Sequence, residues 1–381
     1  MVSAPARLRA SSSTSSAEPD PVLRPRAIGR VVVAVVLAAP IAYFLAAGRP
    51  PGGAAAAGGL PLSAPLPEQT PQGVTLSIGD PTTQKVLQIT GWEQSLPFRI
   101  KWVHMTGGPA VTEAFHARAL DVGAAADIPP VHAVWVGMPV KIIAVAQRKD
   151  PIGHPAWTIA VAPRSGIRTL GDLRGKRIAF SPGQVQGEVV LRALAEHHLT
   201  ASDVTLVEMP STGADVYINA MAAGQVDAAP LANGVAARHY VQRFGKDGAR
   251  LLAHGPFRDD LSDLYVRTET LQDPAKAAAL RAYVQLWGRA QAWIETHPDQ
   301  WAAAYYQKDQ RLSPDDALYV IKVTGVRDVP RDWAPAVAQE QGAIDLMARQ
   351  TGRKPFLAAD IFDRRFAPVA ADAYAAGLAH P

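Results

Sequence analysis

Among the residues able to do chemistry, the loop Ser181-Pro182-Gly183-Gln184-Val185-Gln186-Gly187 is placed best. It separates an apolar strand pattern, Arg177 to Phe180, from a helical pattern running from about Glu188 to His198. Small and polar residues there leave backbone N–H groups free at the positive end of a helix dipole, which makes a seat for an anion. An ordinary strand-to-helix turn has a similar composition, so the loop alone names no ligand. The other candidates read as structural. His197-His198 fall in the last turn of that helix, where they complement its negative end, and no i, i+4 carboxylate stands by to complete a metal site. Asp259-Asp260 with Asp263 raise paired-carboxylate or cation chemistry, but a solvated loop between two halves of the fold explains them more simply. No Gly-rich phosphate loop ending in Lys-Ser/Thr and no Gly-x-Ser-x-Gly elbow is present. The chain has no cysteine, which removes thiolate nucleophiles, Cys-ligated metal, disulfides and a lipid-modified cysteine anchor. No catalytic residue, no metal site and no cofactor is expected, and the chain reads as a binder rather than an enzyme.

The elements that must position such a loop are legible around it. Short apolar runs occur at Val74 to Ile78, Phe98 to Val103, Val122 to Ala125, Val140 to Ala146, Trp157 to Val161, Arg177 to Phe180, Thr205 to Glu208 and Val226 to Ala229. Their alternation with helical patterns predicts parallel sheets covered by helices. Thr169-Leu170-Gly171-Asp172-Leu173-Arg174-Gly175 reads as a short capped helix, with Thr169 as N-cap, Asp172 in the first turn and Gly175 as terminator. After Asp273-Pro274 the pattern changes to long helices, Ala275 to Thr296 and Pro314 to Gly325, with Trp287, Trp293 and Trp301 as packing surfaces. Two distant stretches share one construction, Ala114 to Gly123 and Ala220 to Ala229: a helix end, a tight reversal, then an apolar-Asp-apolar strand start. Gly224 suits the left-handed residue that ends the second helix, whereas the first copy has Arg118 or Ala119 there, a strained substitution or a different turn. Twin units of this kind imply two αβ lobes with a cleft between them.

The remaining features concern address. The chain has 381 residues, 48% of them hydrophobic and 19% charged, a globular balance with length for one large or two medium domains. Its formal charge of +4 is matched by the N-terminal fifty residues, where Arg7, Arg9, Arg24, Arg26, Arg30 and Arg49 face only Glu18 and Asp20. The body is therefore neutral, without the basic stripe that nucleic acid requires. Val31 to Ala47 is an apolar run interrupted by Pro40 and preceded by arginines, an export segment that is either a cleaved signal or a retained membrane anchor. Export follows under both readings and makes the protein periplasmic or extracytoplasmic. Residues 48–73 are Pro, Gly and Ala with few large apolar side chains, which reads as a flexible tether. The expected organisation is 1–47 export segment, 48–73 tether, 74–165 first part of lobe 1, 166–258 lobe 2, and 259–381 second part of lobe 1 with C-terminal helices.

In order and spacing, several segments resemble the aliphatic sulfonate, taurine and nitrate binding proteins of ABC importers, a branch of the type II periplasmic binding protein fold. They are Gly107-Gly108-Pro109-Ala110-Val111-Thr112-Glu113-Ala114-Phe115, Asp121-Val122-Gly123 with Ala126-Asp127-Ile128-Pro129-Pro130, Gly137 to Ala144, the Thr169 to Gly175 helix, the Ser181 to Gly187 loop and Gly224-Gln225-Val226-Asp227-Ala228. The resemblance covers roughly Val74 to Thr270 and implies two αβ lobes joined by a two-segment hinge, a ligand cleft between them and a helical C-terminal tail. It implies a small sulfonate-like anion as ligand, with an ABC permease and ATPase as partners. Carried residue by residue, it implies a ligand site at Thr82, Thr83 and Gln84; at Ala126 and Asp127; at Ser181, Gln184 and Gln186; and at Asn233. This chain departs from the family where it offers glutamines in the third loop and Ala232-Asn233-Gly234 in the fourth, so the ligand need not be an alkanesulfonate. Enzymes of the same fold that make the thiamine pyrimidine precursor carry a cysteine-rich motif, which is missing here. A pyrimidine bound but not transformed, or a membrane-tethered sensor role, stay open as alternatives.

Overall fold

The computed structural model describes residues 59–380 apart from 106, 211 and 212, so the export segment and the first part of the tether lie outside the described residues. The chain begins with β1 (Thr75–Gly79), α1 (Pro81–Thr90), β2 (Arg99–Trp102), α2 (Gly108–His116), β3 (Val122–Ala126), α3 (Ile128–Trp135) and β4 (Val140–Arg148). It then crosses to β5 (Trp157–Val161), β6 (Arg177–Phe180), α4 (Val185–Glu196), β7 (Thr205–Glu208), α5 (Ala214–Ala222), β8 (Ala228–Ala232), α6 (Val235–Phe244) and β9 (Arg250–Leu252). A second crossing returns it to β10 (Ser262–Arg267), α7 (Thr268–Gln272), α8 (Pro274–Thr296) and α9 (Pro298–Trp301). After a π-helix at Ala302–Asp309 come α10 (Pro314–Thr324), β11 (Arg327–Asp328), α11 (Ala334–Thr351) and α12 (Ala367–Ala379).

Two sheets result, one ordered β11-β4-β10-β3-β1-β2 and the other β7-β6-β8-β5-β9. The expectation of parallel sheets needs correction. β1 pairs in parallel with β2 and β3, and β6 with β7 and β8. However, β10 runs antiparallel to β3 and β4, and β5 antiparallel to β8 and β9. The cause is connectivity: β5 and β10 are the strands that receive the chain as it arrives from the other lobe. Each runs against its neighbours in the sheet it enters.

Side-chain alternation builds the cores. On β5, Ile159 and Val161 point into one layer with Ile178, Phe180, Val189 and Leu191, while Ala160 points to the other with Tyr217, Met221, Leu231 and Tyr240. Small residues alternating with large ones let the second sheet be covered on both faces. The first sheet buries Leu76, Ile78, Val122, Ile142 and Tyr265 against α8, whose Leu280, Tyr283, Val284 and Trp287 share the same core. Trp287, Trp293 and Trp301 are all buried packing residues. Helix α11 belongs to both lobes, with Ala336 and Ile344 in the first core and Ala343 and Met347 in the second. Part of the expected tether is docked rather than free. Leu60 N donates to Gln272 O at 2.7 Å, Arg365 Nη1 donates to Ala64 O at 2.6 Å, and Leu62 and Leu66 pack on the first core. Three leucines among the Pro, Gly and Ala residues supply the apolar surface that a tether lacks.

The two crossings are held side by side. Asp259 Oδ1 accepts from Ala156 N at 2.9 Å and Oδ2 from Trp157 N at 2.7 Å, while His254 Nε2 lies 2.7 Å from Oδ2. Asp260 accepts from Arg148 N, and Arg258 Nη2 donates to Arg148 O at 2.7 Å. These acids are therefore not a solvated loop: Asp259 and Asp263 are each 2% exposed, and the Asp260 side chain is fully buried. Orphan backbone N–H groups of one crossing require acceptors, and carboxylates on the other supply them.

The twin αβ unit repeats down to single hydrogen bonds. After α2, Arg118 N donates to Phe115 O and Ala119 N to Ala114 O; after α5, Gly224 N donates to Met221 O and Gln225 N to Ala220 O. Arg118 takes the strained option, with φ at 54°, where Gly224 has 68°. In each copy the following Asp clasps the first strand, Asp121 Oδ2 accepting from Ser77 N and Asp227 Oδ2 from Arg177 N, both at 2.9 Å. No atom stands within 4 Å of a Cβ built on Gly224, so Gly224→Ala tests backbone strain alone. The left-handed penalty of about 1–2 kcal/mol, less the unfolded-state gain on replacing glycine, predicts a loss of about 1 kcal/mol. Urea unfolding of the variant against the parent measures it.

Candidate functional site

The loops after β1, β3, β6 and β8 carry the expected site residues, and between the lobes the loop after β6 meets the start of α2 and helix α3. Helix α1 is capped by Asp80, which accepts from Thr83 N at 3.1 Å and from Tyr283 Oη at 3.0 Å. Burial raises the Asp80 carboxyl above the usual carboxylate range, and the hydrogen bonds from Thr83 and Tyr283 pull against that rise. Helix α3 is capped by Asp127, whose Oδ1 accepts from Ile128 N at 2.9 Å. By contrast, α2 starts at Gly107, α4 at Gln184 and α6 at Gly234, none with a side chain bonded to its first-turn N–H groups. The helix thus begins at Val185, three residues before the expected start, so Gln186 belongs to its first turn rather than to a loop. No side chain caps its first N–H groups, though Glu188 stands in its first turn, whereas the first turn of α2 has neither a cap nor an acid.

Two cavities flank the first turn of α2. One, of about 690 Å³, is lined by Gln84, Lys85, Gln88, His104, Met105, Gly107 and Tyr305 among others. The other, of about 680 Å³, is lined by Pro109, Thr112, Glu113, His132, Ser181, Gln184 and Glu208 among others. Burial, and next the charge of Arg353, hold the His132 imidazole below its ordinary value, which favours the neutral ring. Between the cavities the lobes touch. A Cβ on Gly108 would lie 2.8 Å from Gln184 Nε2 and 2.5 Å from Pro129 Cγ, and one on Gly183 would lie 3.0 Å from the His132 ring. Side chains are excluded from this seam, so glycine at both positions permits the approach.

The nine positions implied by resemblance divide into three groups. Gln84, Ser181 and Gln184 line the cavities. Thr82 is half-buried in the first turn of α1 and Ala126 half-buried at the end of β3, while Thr83 is wholly buried under α1. Asp127, Gln186 and Asn233 have side chains engaged elsewhere or turned inward. Asn233 Nδ2 donates to Pro155 O at 3.1 Å, and its N donates to Ala156 O at 2.7 Å, so it braces the first crossing. Gln186 Oε1 and Asp127 Oδ2 are buried without a hydrogen-bond partner. Sequence reasoning missed Lys85, His132 and Tyr305 on the cavity walls. His132 sits one helical turn beyond the Pro129-Pro130 motif and was findable, but Tyr305 reaches the site from a distant segment, and nothing local announces it.

Behind Asp127 lies a cluster that no motif suggested. Asp127, Glu188, Asp263 and Glu340 are at most 2% exposed, and one guanidinium, Arg192, faces them. Arg192 pairs with Glu188 and its Nη2 donates to Gln339 O at 3.3 Å. Both oxygens of Asp263 and of Glu340 lack a donor. Burial drives all four carboxyls above the usual range; Asp127 is raised further by Glu188 and Asp263, and Glu340 by Asp127, Asp263 and Glu188. One cation cannot balance four buried carboxylates, so the cluster retains protons. Because the folded values lie above the unfolded ones, the contribution of these groups to stability is complete below the ordinary carboxylate range. It is lost as pH rises through the folded values. The urea midpoint is expected to fall as pH is raised from 5 towards 8, and Glu340→Gln to flatten that decline by up to about 1.4 kcal/mol per pH unit. An unchanged slope in Glu340→Gln would show that Glu340 does not titrate between these limits.

Two αβ lobes, two crossings and a cleft at the strand ends define a periplasmic binding protein fold. The chain belongs to the NMT1/THI5 like family, whose model matches residues 100–300. A protein of Escherichia coli strain K12 named for the binding of aliphatic sulfonates is 34% identical over 106 residues, which is 28% of this chain and 32% of that relative's length. A Bacillus subtilis strain 168 protein named in the same way is 25% identical over 281 residues, covering 73% of this chain and 80% of the relative. Among solved structures, the alkanesulfonate-binding protein SsuA from Xanthomonas axonopodis pv. citri, bound to MOPS, superposes with a TM-score of 0.64 at 25% identity. That superposition covers 77% of this chain and 99% of SsuA.

Proposed function

We propose that this chain is the extracytoplasmic solute-binding component of an ABC importer, and that its ligand is a small organic anion, a sulfonate or a related oxyanion. The observation that carries this reading is the pair of uncapped helix N-termini, those of α2 and α4, brought to the same seam from opposite lobes. Free N–H groups at two positive helix ends favour an anion without demanding a buried arginine. An anion that spans the seam contacts both lobes and so favours the closed arrangement.

Magnitudes are compatible with scavenging. Micromolar affinity corresponds to about 8 kcal/mol, and a hydrogen bond to a charged group contributes roughly 1.5–3 kcal/mol. About four or five such bonds plus the helix ends reach that range before the cost of association. Ser181 and Gln184 then fix the oxyanion geometry, and Asn233 acts through the crossing it braces. The names of the relatives support sulfonate over other oxyanions, and the arginine-flanked run Val31 to Ala47 supports export. Among the described residues no helix is long and apolar enough to cross a membrane. A permease and an ATPase are the partners this reading requires.

Isothermal titration of the purified chain with methanesulfonate, sulfate and nitrate tests it. Sulfonate binding is expected, and Ser181→Ala is expected to weaken it by roughly tenfold to a hundredfold, the equivalent of one charge-assisted hydrogen bond. Heat effects no larger than dilution for every anion would refute the reading, and an unaltered affinity in Ser181→Ala would remove that hydroxyl from the site.

A further inference from the structure

The segment after α9 is wound as a π-helix over eight residues, Ala302–Asp309, closed by Gln310 N donating to Tyr305 O at 3.0 Å and Leu312 N donating to Tyr306 O at 2.9 Å. Wide turns of this kind are rare and concentrate at functional sites. Here the widening places two consecutive tyrosines against one tryptophan. Trp301, 5% exposed, is fixed in a satellite core with Val86, Ala290, Trp293 and Ile294. The Tyr305 ring stacks on it, with centroids 4.3 Å apart and planes at 14°, and Tyr306 meets Tyr305 edge-on at 5.4 Å and 63°. The far end of the turn is fastened by Asp309, whose carboxylate lies 2.8 Å from Lys85 Nζ on α1. Tyr305 is therefore held from behind by a buried ring and from the side by an ion pair, while it lines the 690 Å³ cavity at Gly107.

That cavity is asymmetric in chemistry. The uncapped start of α2 lies at Gly107, and Val103, Met105, Val111 and Tyr305 form the apolar part of a lining that also holds Lys85 paired with Asp309. Methanesulfonate seated at the helix end would leave most of the volume to water. A cavity of this size suits a larger ligand, and a rigid aromatic face is the wall on which a flat apolar group gains most, because little side-chain entropy is lost on contact.

We propose that Tyr305, presented by the π-helix, is a specificity-determining residue that packs against the organic tail of the bound anion and selects aryl-tailed sulfonates over short alkyl ones. The proposal rests on the reading of the chain as an organic-anion binder. It assigns the head group to the helix end and the tail to the aromatic wall, so head and tail affinities are separable.

Isothermal titration of the purified chain with benzenesulfonate and methanesulfonate tests it, using the parent, Tyr305→Ala, Tyr305→Phe and Tyr306→Ala. The parent is expected to bind benzenesulfonate about tenfold more tightly than methanesulfonate, the order of gain an aromatic contact and its buried area provide. Tyr305→Ala should erase most of that preference while changing methanesulfonate affinity less than about twofold, and Tyr305→Phe should keep it. Tyr306 does not line the cavity, so Tyr306→Ala should keep the preference and control for unravelling of the π-turn. A parent that binds both sulfonates equally, or a Tyr305→Ala variant that keeps the preference or loses both ligands alike, overturns the assignment and leaves the organic-anion reading in place. Binding of neither sulfonate by the parent overturns both together.

Discussion

The carboxylate of Asp259 holds together what the rest of the molecule takes for granted. Two sheets joined by two crossings are a clamp only if the crossings run side by side, and peptide N–H groups in such a passage have no ladder to join. Asp259 accepts from two of them, Ala156 and Trp157, in a dry setting, while Asp260 accepts from the amide of Arg148 and Arg258 donates to its carbonyl. Asn233 extends the brace from the end of β8 to the carbonyl of Pro155. Losing one of these hydrogen bonds would strand a buried donor. The antiparallel entry of β5 and β10, the seam at Gly108 and the approach of α2 to α4 all follow once these crossings are fixed.

A second layer of the same junction consists of buried acids, two of which, Asp263 and Glu340, lack any donor. Asp127, Glu188, Asp263 and Glu340 come from the cap of α3, from α4, from β10 and from α11, elements assigned to both lobes and to the helix shared between them. Apolar residues at those four positions would pack with less strain on the charge balance, as buried ion clusters elsewhere show. Their presence means that the junction carries stored electrostatic cost at neutral pH, while the surrounding cores of Ile159, Val189, Ile344 and their neighbours supply the cohesion.

How far the sequence could be read depended on the range of the interactions involved. β5, β6 and β7 begin and end where their apolar runs do, and the capping box of Thr169 with Asp172 is present as its spacing announces. The reversal after α5 needed only the freedom of Gly224, a property of one residue. The start of α4 slipped by three residues because Gln184 takes an extended conformation as N-cap, which no local propensity dictates. Asp259, Asp260 and Asp263 looked solvated because acids in a short run usually are, and the amides that claim Asp259 lie about a hundred residues away in the chain. Of the candidate site, the loop at Ser181 was legible through its helix, whereas Tyr305 depends on a turn width that hydrophobic periodicity does not encode. The bond from Asn233 to the crossing was not legible, because the carbonyl that receives it belongs to Pro155, far away in the chain.

The seam where Gly183 meets His132 also makes this chain convenient as an optical reporter. It contains no cysteine, so a thiol introduced near the rim of that contact is unique without prior removal of others. A dye attached there would sit in water when the lobes part and against the imidazole and the α4 loop when they meet. Closure would then be visible as a change in emission from a single label, on the untrimmed protein and in real time.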